Sequence, residues 1–420
     1  MSRMKSGLLA GLALCMAATP AWAADDASNA ALRAELEMLK SKMARIESQI
    51  GSSSGTGDGV SLPTVHLPSG LSGLQLSGFA DVSYIYSFNE AKDSARRTTN
   101  RGRSYDTEAN GFTPHAIELA IEKPLSEESP VGFRTDLYIG DDAELIHSAG
   151  LGIASDSFDL QQAYVALRAP VGDGLDFKVG KFQTPIGAEV YESPYNWNFS
   201  RSFLFTFAEP GTHTGVLASY PVVDGLASVS AGVVNGWDVV DDTNKGKSVL
   251  GSITLTPAEG VTLIANAITG PEQIDNSRDK RTLLDLVGIW QATEQLAFMA
   301  NYDFGHESGG RATTFDAKEW AGLALYTKYD ISDKWALVGR WEWFDDKDNF
   351  RSALTGADGT APTDIDYYGL TLTSQWKLYD RVIARLEYRH DKADEAVFFR
   401  NADSFTNYQD TVAAEVIYLF

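Results

Sequence analysis

Residues 411–420 read TVAAEVIYLF. Successive side chains of an extended strand point to opposite faces, so Val412, Ala414, Val416, Tyr418 and Phe420 share one face. Strict alternation of this kind predicts a strand with one apolar side. The same pattern recurs through most of the chain upstream.

Alternating segments bounded by polar breaks predict strands at about 74–86, 113–122, 131–139, 159–168, 175–182, 211–220, 226–237, 248–256, 261–269, 281–291, 296–306, 318–329, 335–344, 364–378, 382–390 and 411–420. The connections alternate in length. KPLSEES, APVGDG, PVVDG, PAEG, ATEQ, ISDK and YD are short. Between them lie longer ones at about 87–112, 140–158, 183–210, 238–247, 270–280, 307–317, 345–363 and 391–410. Short turns on one rim and long loops on the other are the pattern of a transmembrane antiparallel β-barrel. The expected fold is therefore all-β, a barrel of about sixteen strands over residues 74–420. An even strand count places both barrel ends on the periplasmic side.

The strand faces agree with lipid outside and water inside. Leu74, Leu76, Ala80, Val82, Tyr84 and Tyr86 oppose Gln75, Ser77, Asp81 and Ser83. Ile117, Leu119 and Ile121 oppose Glu118 and Glu122, and Phe133, Thr135, Leu137 and Ile139 oppose Arg134, Asp136 and Tyr138. Val382, Ala384, Leu386 and Tyr388 oppose Arg385, Glu387 and Arg389. Trp341 and Trp343 share an outward face and suit an interfacial aromatic belt. Strands about 4.8 Å apart and tilted by about 45° give sixteen of them a diameter of about 35 Å. Side chains alone cannot fill that width, so an aqueous lumen is expected.

The chain start sets the compartment. Arg3 and Lys5 precede the apolar run GLLAGLALCMAA at 7–18, and AWA follows at 21–23. This is the form of a secretory signal peptide over 1–23. Cys15, the one cysteine, lies within it, so no disulfide framework is expected beyond it. No run of about 18 apolar residues occurs after it, so no transmembrane helix is expected. Residues 24–50 contain Leu32, Leu36, Leu39, Met43, Ile46 and Ile50 at spacings of four and three, a heptad seam. A short periplasmic coiled-coil helix is expected there, and its attachment to a barrel favours a homotrimer. A flexible linker over 51–73, opening with GSSSGTGDG at 51–59, joins it to the barrel. Together these features predict the outer membrane of a Gram-negative bacterium, with the N-terminal segment in the periplasm and lipid around the barrel. The aromatic end formed by Tyr418 and Phe420 resembles the targeting signal of outer-membrane barrels, which implies the barrel-assembly machinery as a partner.

The formal net charge is −22, which excludes nucleic acid as a natural partner. Acids cluster in the predicted loops as DDAE at 141–144, WDVVDD at 237–242 and FDDKDN at 344–349. Such clusters serve as solvated loop tips or hold surface calcium through hard oxygens. Apart from that calcium, no cofactor is expected.

The longest connection, 183–210, is rich in Phe, Tyr and Trp. A long aromatic loop exposed to water is an aggregation hazard, so it is expected to fold into the barrel and narrow the pore. Glu189, Glu192, Arg201 and Glu209 lie in it, with Lys181 just before it and Arg134, Arg168 and Lys178 on the wall. Opposed charges across a narrow gap favour small hydrophilic solutes and ions. The same charges equally serve to pin the loop to the barrel.

The stretch LDFKVGKFQTPIGAEVYESPYNWNFSRSFLF, followed by THTGVLASYPV and VSAGVVNGWD, resembles the OmpL-like β-barrel porins. LSGFADVSYIYSFN at 76–89 resembles their first strand. The likeness runs over roughly 74–420 and implies an outer-membrane diffusion channel, with no catalytic or binding residues to carry over. KVGKFQTPIG followed by SRSFLF is also similar to the phosphate-selective porins, which use basic constrictions. Here the loop carries three Glu and one Arg, which departs from that pattern.

An enzyme needs a nucleophile with a base in reach or a set of metal ligands. His66, His115, His147, His213, His306 and His390 are scattered, with no helical metal-ligand spacing. No enzyme is expected. A structural alternative has the coiled coil tether the outer membrane to the cell wall.

Overall fold

The computed structural model describes residues 73–89, 99–152, 156–309, 316–356, 359–401 and 404–420. The expected signal peptide, the coiled-coil seam and the linker as far as residue 72 lie outside the described residues.

Sixteen strands close the barrel. They are β1 Gln75–Ser87, β2 Gly111–Lys123, β3 Val131–Ile139, β4 Phe158–Ala169, β5 Leu175–Gln183, β6 Thr212–Val223, β7 Ala227–Val234 and β8 Ser248–Ala258. There follow β9 Val261–Gly270, β10 Arg281–Gln291, β11 Leu296–Glu307, β12 Lys318–Ser332, β13 Trp335–Lys347, β14 Asp364–Tyr379, β15 Val382–Ala393 and β18 Tyr408–Leu419. Each predicted strand coincides with one of these. The largest shift at a strand start is at β18, which begins three residues before the predicted 411. The predicted 391–410 connection also carries a small hairpin, β16 Phe398–Asn401 with β17 Ser404–Thr406. Arms of four and three residues are too short for alternation to show. Tertiary contacts mark them instead: Phe399 and Phe405 pack with centroids 5.1 Å apart, and the Arg101 guanidinium lies over both rings.

Neighbouring strands pair antiparallel throughout, and β1 pairs with both β2 and β18. The closing seam runs in register from Phe79↔Leu419 to Ser87↔Thr411. Gly78 and Phe420 exchange both backbone hydrogen bonds at 3.0 Å, extending the seam by one pair. Closure leaves no sheet edge, the condition for crossing a membrane with strands.

The outer face is apolar. Val82, Ile117, Val179, Val249, Leu286, Leu372 and Val416 all stand exposed on it. Soluble proteins rarely show contiguous apolar patches above a few hundred Å², so this belt faces lipid. Near the short turns it ends in aromatic side chains. Trp290 stacks on Phe298 at 5.6 Å, and Trp335 pairs in register with Trp376. Trp341 points outward as expected but sits at the middle of β13.

Candidate functional site

The predicted long loop spans 184–211, between β5 and β6. Buried backbone N–H and C=O groups require partners, and this irregular segment finds them on the inward wall. Gly187 N donates to Asp285 Oδ2 of β10 at 3.2 Å, and Ala188 N to Asn301 Oδ1 of β11 at 2.7 Å. Ser193 Oγ donates to Glu415 of β18. Asn198 Nδ2 donates to Thr373 Oγ1 of β14 at 2.7 Å. Phe199 N and Ser200 N both donate to Glu387 of β15, at 2.8 and 3.0 Å. Phe203 N donates to Glu342 Oε2 of β13 at 2.6 Å. The loop therefore crosses the interior and touches strands from β10 round to β18.

Three wall arginines answer its carbonyl oxygens. Arg340 donates to Ser200 O at 2.5 Å and pairs with Glu189 and Glu342, both at 2.9 Å. Arg385 donates to Ser193 O at 3.1 Å and Asn196 O at 2.6 Å, and pairs with Glu415 at 3.0 Å. Arg389 donates to Arg201 O at 2.7 Å and pairs with Asp391 at 2.7 Å. Each charge-assisted bond of this type is worth about 1.5–3 kcal/mol. Apolar anchors complete the hold. A single π-helical turn, Leu204–Ala208, follows Phe203, and Phe203 and Leu204 are fully buried. Phe203 stacks near Phe207 at 6.4 Å and packs against Tyr367 at 5.3 Å.

The predicted site residues divide. Glu189 meets Arg340, as above. Arg201 turns back on its own loop, donating to Val190 O, Phe199 O and Tyr191 O at 3.1, 2.7 and 2.6 Å. Glu192 comes within 4.8 Å of Glu118 and Asp136, and Arg134 pairs with Asp136 at 2.9 Å and Glu122 at 3.0 Å. Lys181 pairs with Asp159 at 3.3 Å. Lys178 lies over the Tyr164 ring at 4.9 Å. Arg168 is not drawn in: it pairs with Asp176 at 2.6 Å, beside the short 170–174 turn. Glu209 faces Asp285 and Asp303. Arg340, Arg385, Arg389, Glu342, Glu387 and Glu415 were missing from the sequence-derived set. The available signal was the charged run on alternate positions 385, 387, 389 and 391.

Other long loops also turn inward. Tyr105 packs against Phe205 at 5.8 Å, and Arg103 pairs with Asp391 at 2.7 Å. The acidic clusters contribute buried acceptors. Asp142 meets His115 at 2.9 Å, in a five-residue helix, α1 Asp141–Leu145. Asp238 accepts from Thr212 N at 2.7 Å, and Asp346 from Ser352 N at 2.7 Å.

In the loop after β9, Glu272 accepts from Ser248 Oγ at 2.6 Å and Trp237 N at 2.9 Å. Burial nonetheless pushes its carboxyl up to about 7, outweighing these bonds and the Arg281 charge. Between its ordinary value of 4.5 and about 7 the folded state holds a proton that the unfolded chain has released. Stability is thus expected to fall as pH rises through that window and to level off above it. Thermal unfolding between pH 4 and 8 checks this, and Glu272→Gln should flatten the slope.

The family model described as "Putative beta-barrel porin-2, OmpL-like" matches residues 73–420. No curated protein sequence matches the chain. Among solved structures the fold is similar to the outer membrane channel DcaP of Acinetobacter baumannii, with TM-score 0.54 and 10% identity, covering 83% of this chain and 97% of that one. It is similar to an anion-selective porin from Comamonas acidovorans, with TM-score 0.53 and 12% identity over 83% and 99% of the two chains. It is also similar to OprB of Pseudomonas putida, with TM-score 0.54 and 11% identity over 83% and 94%. Family and fold are those of an outer-membrane channel rather than an enzyme, and the matched residues take in every strand of the barrel. The chain belongs to the OmpL-like family of β-barrel porins.

Proposed function

We propose that this porin passes small hydrophilic solutes and ions by passive diffusion, through a lumen narrowed by the 184–211 loop. The observation that carries the reading is the loop's path. Its backbone is bonded to inward residues of β10, β11, β13 and β15, and its Asn198 and Ser193 side chains to β14 and β18, so it occupies cross-section that a bare barrel of about 35 Å would leave to water. Glu189, Glu192, Arg201 and Glu209 of the loop, with Lys181, Lys178 and Arg134 of the wall, line the approach, while Arg168 stands apart beside the 170–174 turn. A transverse field across such a gap favours dipolar solutes over apolar ones. Arg340, Arg385 and Arg389 are committed to carboxylates and loop carbonyls. That weighs against a phosphate-selective ladder of free cations.

The assembly we infer is a homotrimer in the outer membrane, with the 24–50 segment in the periplasm. A fold-similar chain, OmpT of Vibrio cholerae, is described in a trimer form. A tether role for the coiled coil rests on the same segment.

Planar-bilayer recording of the purified protein under a salt gradient tests the reading. Conductance steps in groups of three are expected, with a reversal potential small in magnitude. Correctly folded, heat-modifiable protein that conducts no current would overturn the channel reading. A strongly anion-selective potential would restore the phosphate alternative.

A further inference from the structure

Where the loop meets β10 and β11, Glu209, Asp285 and Asp303 each bring a carboxylate oxygen within 4.8 Å of the others. Asp285 and Asp303 are fully buried, and Glu209 is 7% exposed. The two aspartates are register partners, so like charges stand directly opposite on adjacent strands. That pairing is destabilising unless something neutralises it.

The inward wall elsewhere does neutralise such groups. Glu342, Glu415, Asp391 and Asp136 each pair with an arginine. Among the described residues no Arg, Lys or His pairs with Glu209, Asp285 or Asp303. Asp285 accepts from Asn266 Nδ2 and Asn301 Nδ2, both at 2.7 Å, and from Gly187 N. Neither oxygen of Asp303 accepts a hydrogen bond, although the side chain is wholly buried beside the other two. Buried carboxylates this close cannot all ionise without a cation or a shared proton.

We propose that Glu209, Asp285 and Asp303 form a divalent-cation site, with calcium as the ion, inside the barrel at the root of the third loop. Three carboxylates are a hard, all-oxygen donor set, which selects calcium or magnesium over softer metals. Calcium–oxygen distances of about 2.4 Å place opposite ligands about 4.8 Å apart, and these oxygens all lie within that distance of one another. Magnesium demands about 2.1 Å in near-ideal octahedra and keeps its water. Bound there, the ion cancels the opposed charges and clamps Glu209 at the end of the loop. The start of the loop is held to the same place, because Gly187 and Ala188 donate to Asp285 and Asn301. Gly187 makes the approach possible. Its φ is +89°, and a Cβ there would lie 1.9 Å from Glu209 Oε2. The site stands on the wall and loop geometry alone, whether or not the pore conducts.

The test uses full-length protein refolded in lipopolysaccharide-free detergent and stripped with EDTA. Calcium titrated by calorimetry should bind at one ion per chain and raise the unfolding temperature. Asp303→Asn should weaken that step at least about tenfold, by removing one of three charged ligands, while the barrel stays heat-modifiable. Glu209→Gln, a change in the loop that leaves the wall intact, should do the same. Asp241→Asn with Asp242→Asn, in an acidic loop elsewhere, should leave the step in place. Magnesium should bind more weakly. No stoichiometric calcium step, or a step lost in the Asp241/Asp242 variant but kept in Asp303→Asn, overturns the proposal. So does an unfolding temperature that ignores calcium and rises as the pH falls, which would mean that the three groups share protons.

Discussion

Arg340→Ala is expected to cost the folded barrel about 3–5 kcal/mol, the range for removing one member of a buried ion pair. Arg340 is fully buried and joins Glu189 of the loop to Glu342 of the wall. It also donates to Ser200 O and Oγ, Arg201 O and Thr371 Oγ1. Truncation leaves Glu189 without its cation, Glu342 with only Arg389 at 3.7 Å, and Ser200 O without its donor, while Arg201 O keeps its bond from Arg389. Glu342 still accepts from Phe203 N, so the loss falls chiefly on the stretch 189–201. Two measurements follow. Denaturant unfolding of the protein in lipid vesicles should show the loss of stability. Bilayer recording should show larger, noisier unitary currents as the loop leaves the wall. Arg340→Lys should recover part of both, because an ammonium keeps the charge but not the planar fork. Unitary currents identical to those of the native protein would mean that the loop does not depend on this residue.

Gly78→Val is expected to prevent barrel closure, the larger of the two effects in yield. Gly78 bonds Phe420 in the seam, and a Cβ there would stand 2.0 Å from Glu118 O and 2.7 Å from the Phe420 ring. The first of these atoms is backbone and cannot rotate away. Overpacking of side chains alone costs about 1–3 kcal/mol, or about a fivefold to 150-fold fall in the folded ratio. A clash with a paired strand exceeds that. Unboiled gel mobility reports closure directly: the variant should migrate as unfolded chain. Gly111→Val is the control, because a Cβ at Gly111 meets nothing within 4 Å. Native mobility of Gly78→Val would show that the seam relaxes, and would count against Tyr418 and Phe420 as a tightly built end.

The inward charges show where sequence reading stopped. Their faces were legible, since Arg385, Glu387 and Arg389 oppose Leu386 and Tyr388 on one strand. Their partners were not. Arg168 carries the same charge as Arg340 and also points inward, yet it pairs locally with Asp176 near the short turn, far from the loop's path. Arg201 looked like half of a pair with a carboxylate, and instead binds three carbonyls of its own loop. A residue's type and face say that it needs a partner, not which one.

The strands and their outward faces were determined by sequence alone. Each strand must satisfy lipid on one side along its own length, and that demand is written locally as a period of two. The turn-and-loop rhythm is local as well, which is why all sixteen strands could be placed. Only the tertiary structure decided which inward groups meet. Asp285 and Asp303 face each other because of one hairpin register, and Glu209 reaches them because the loop folds back across the lumen. Arg340 reaches Glu189 over 151 residues because the loop crosses the closed barrel to the far wall. Those contacts depend on closure and on the path of one irregular segment, and no local periodicity encodes either.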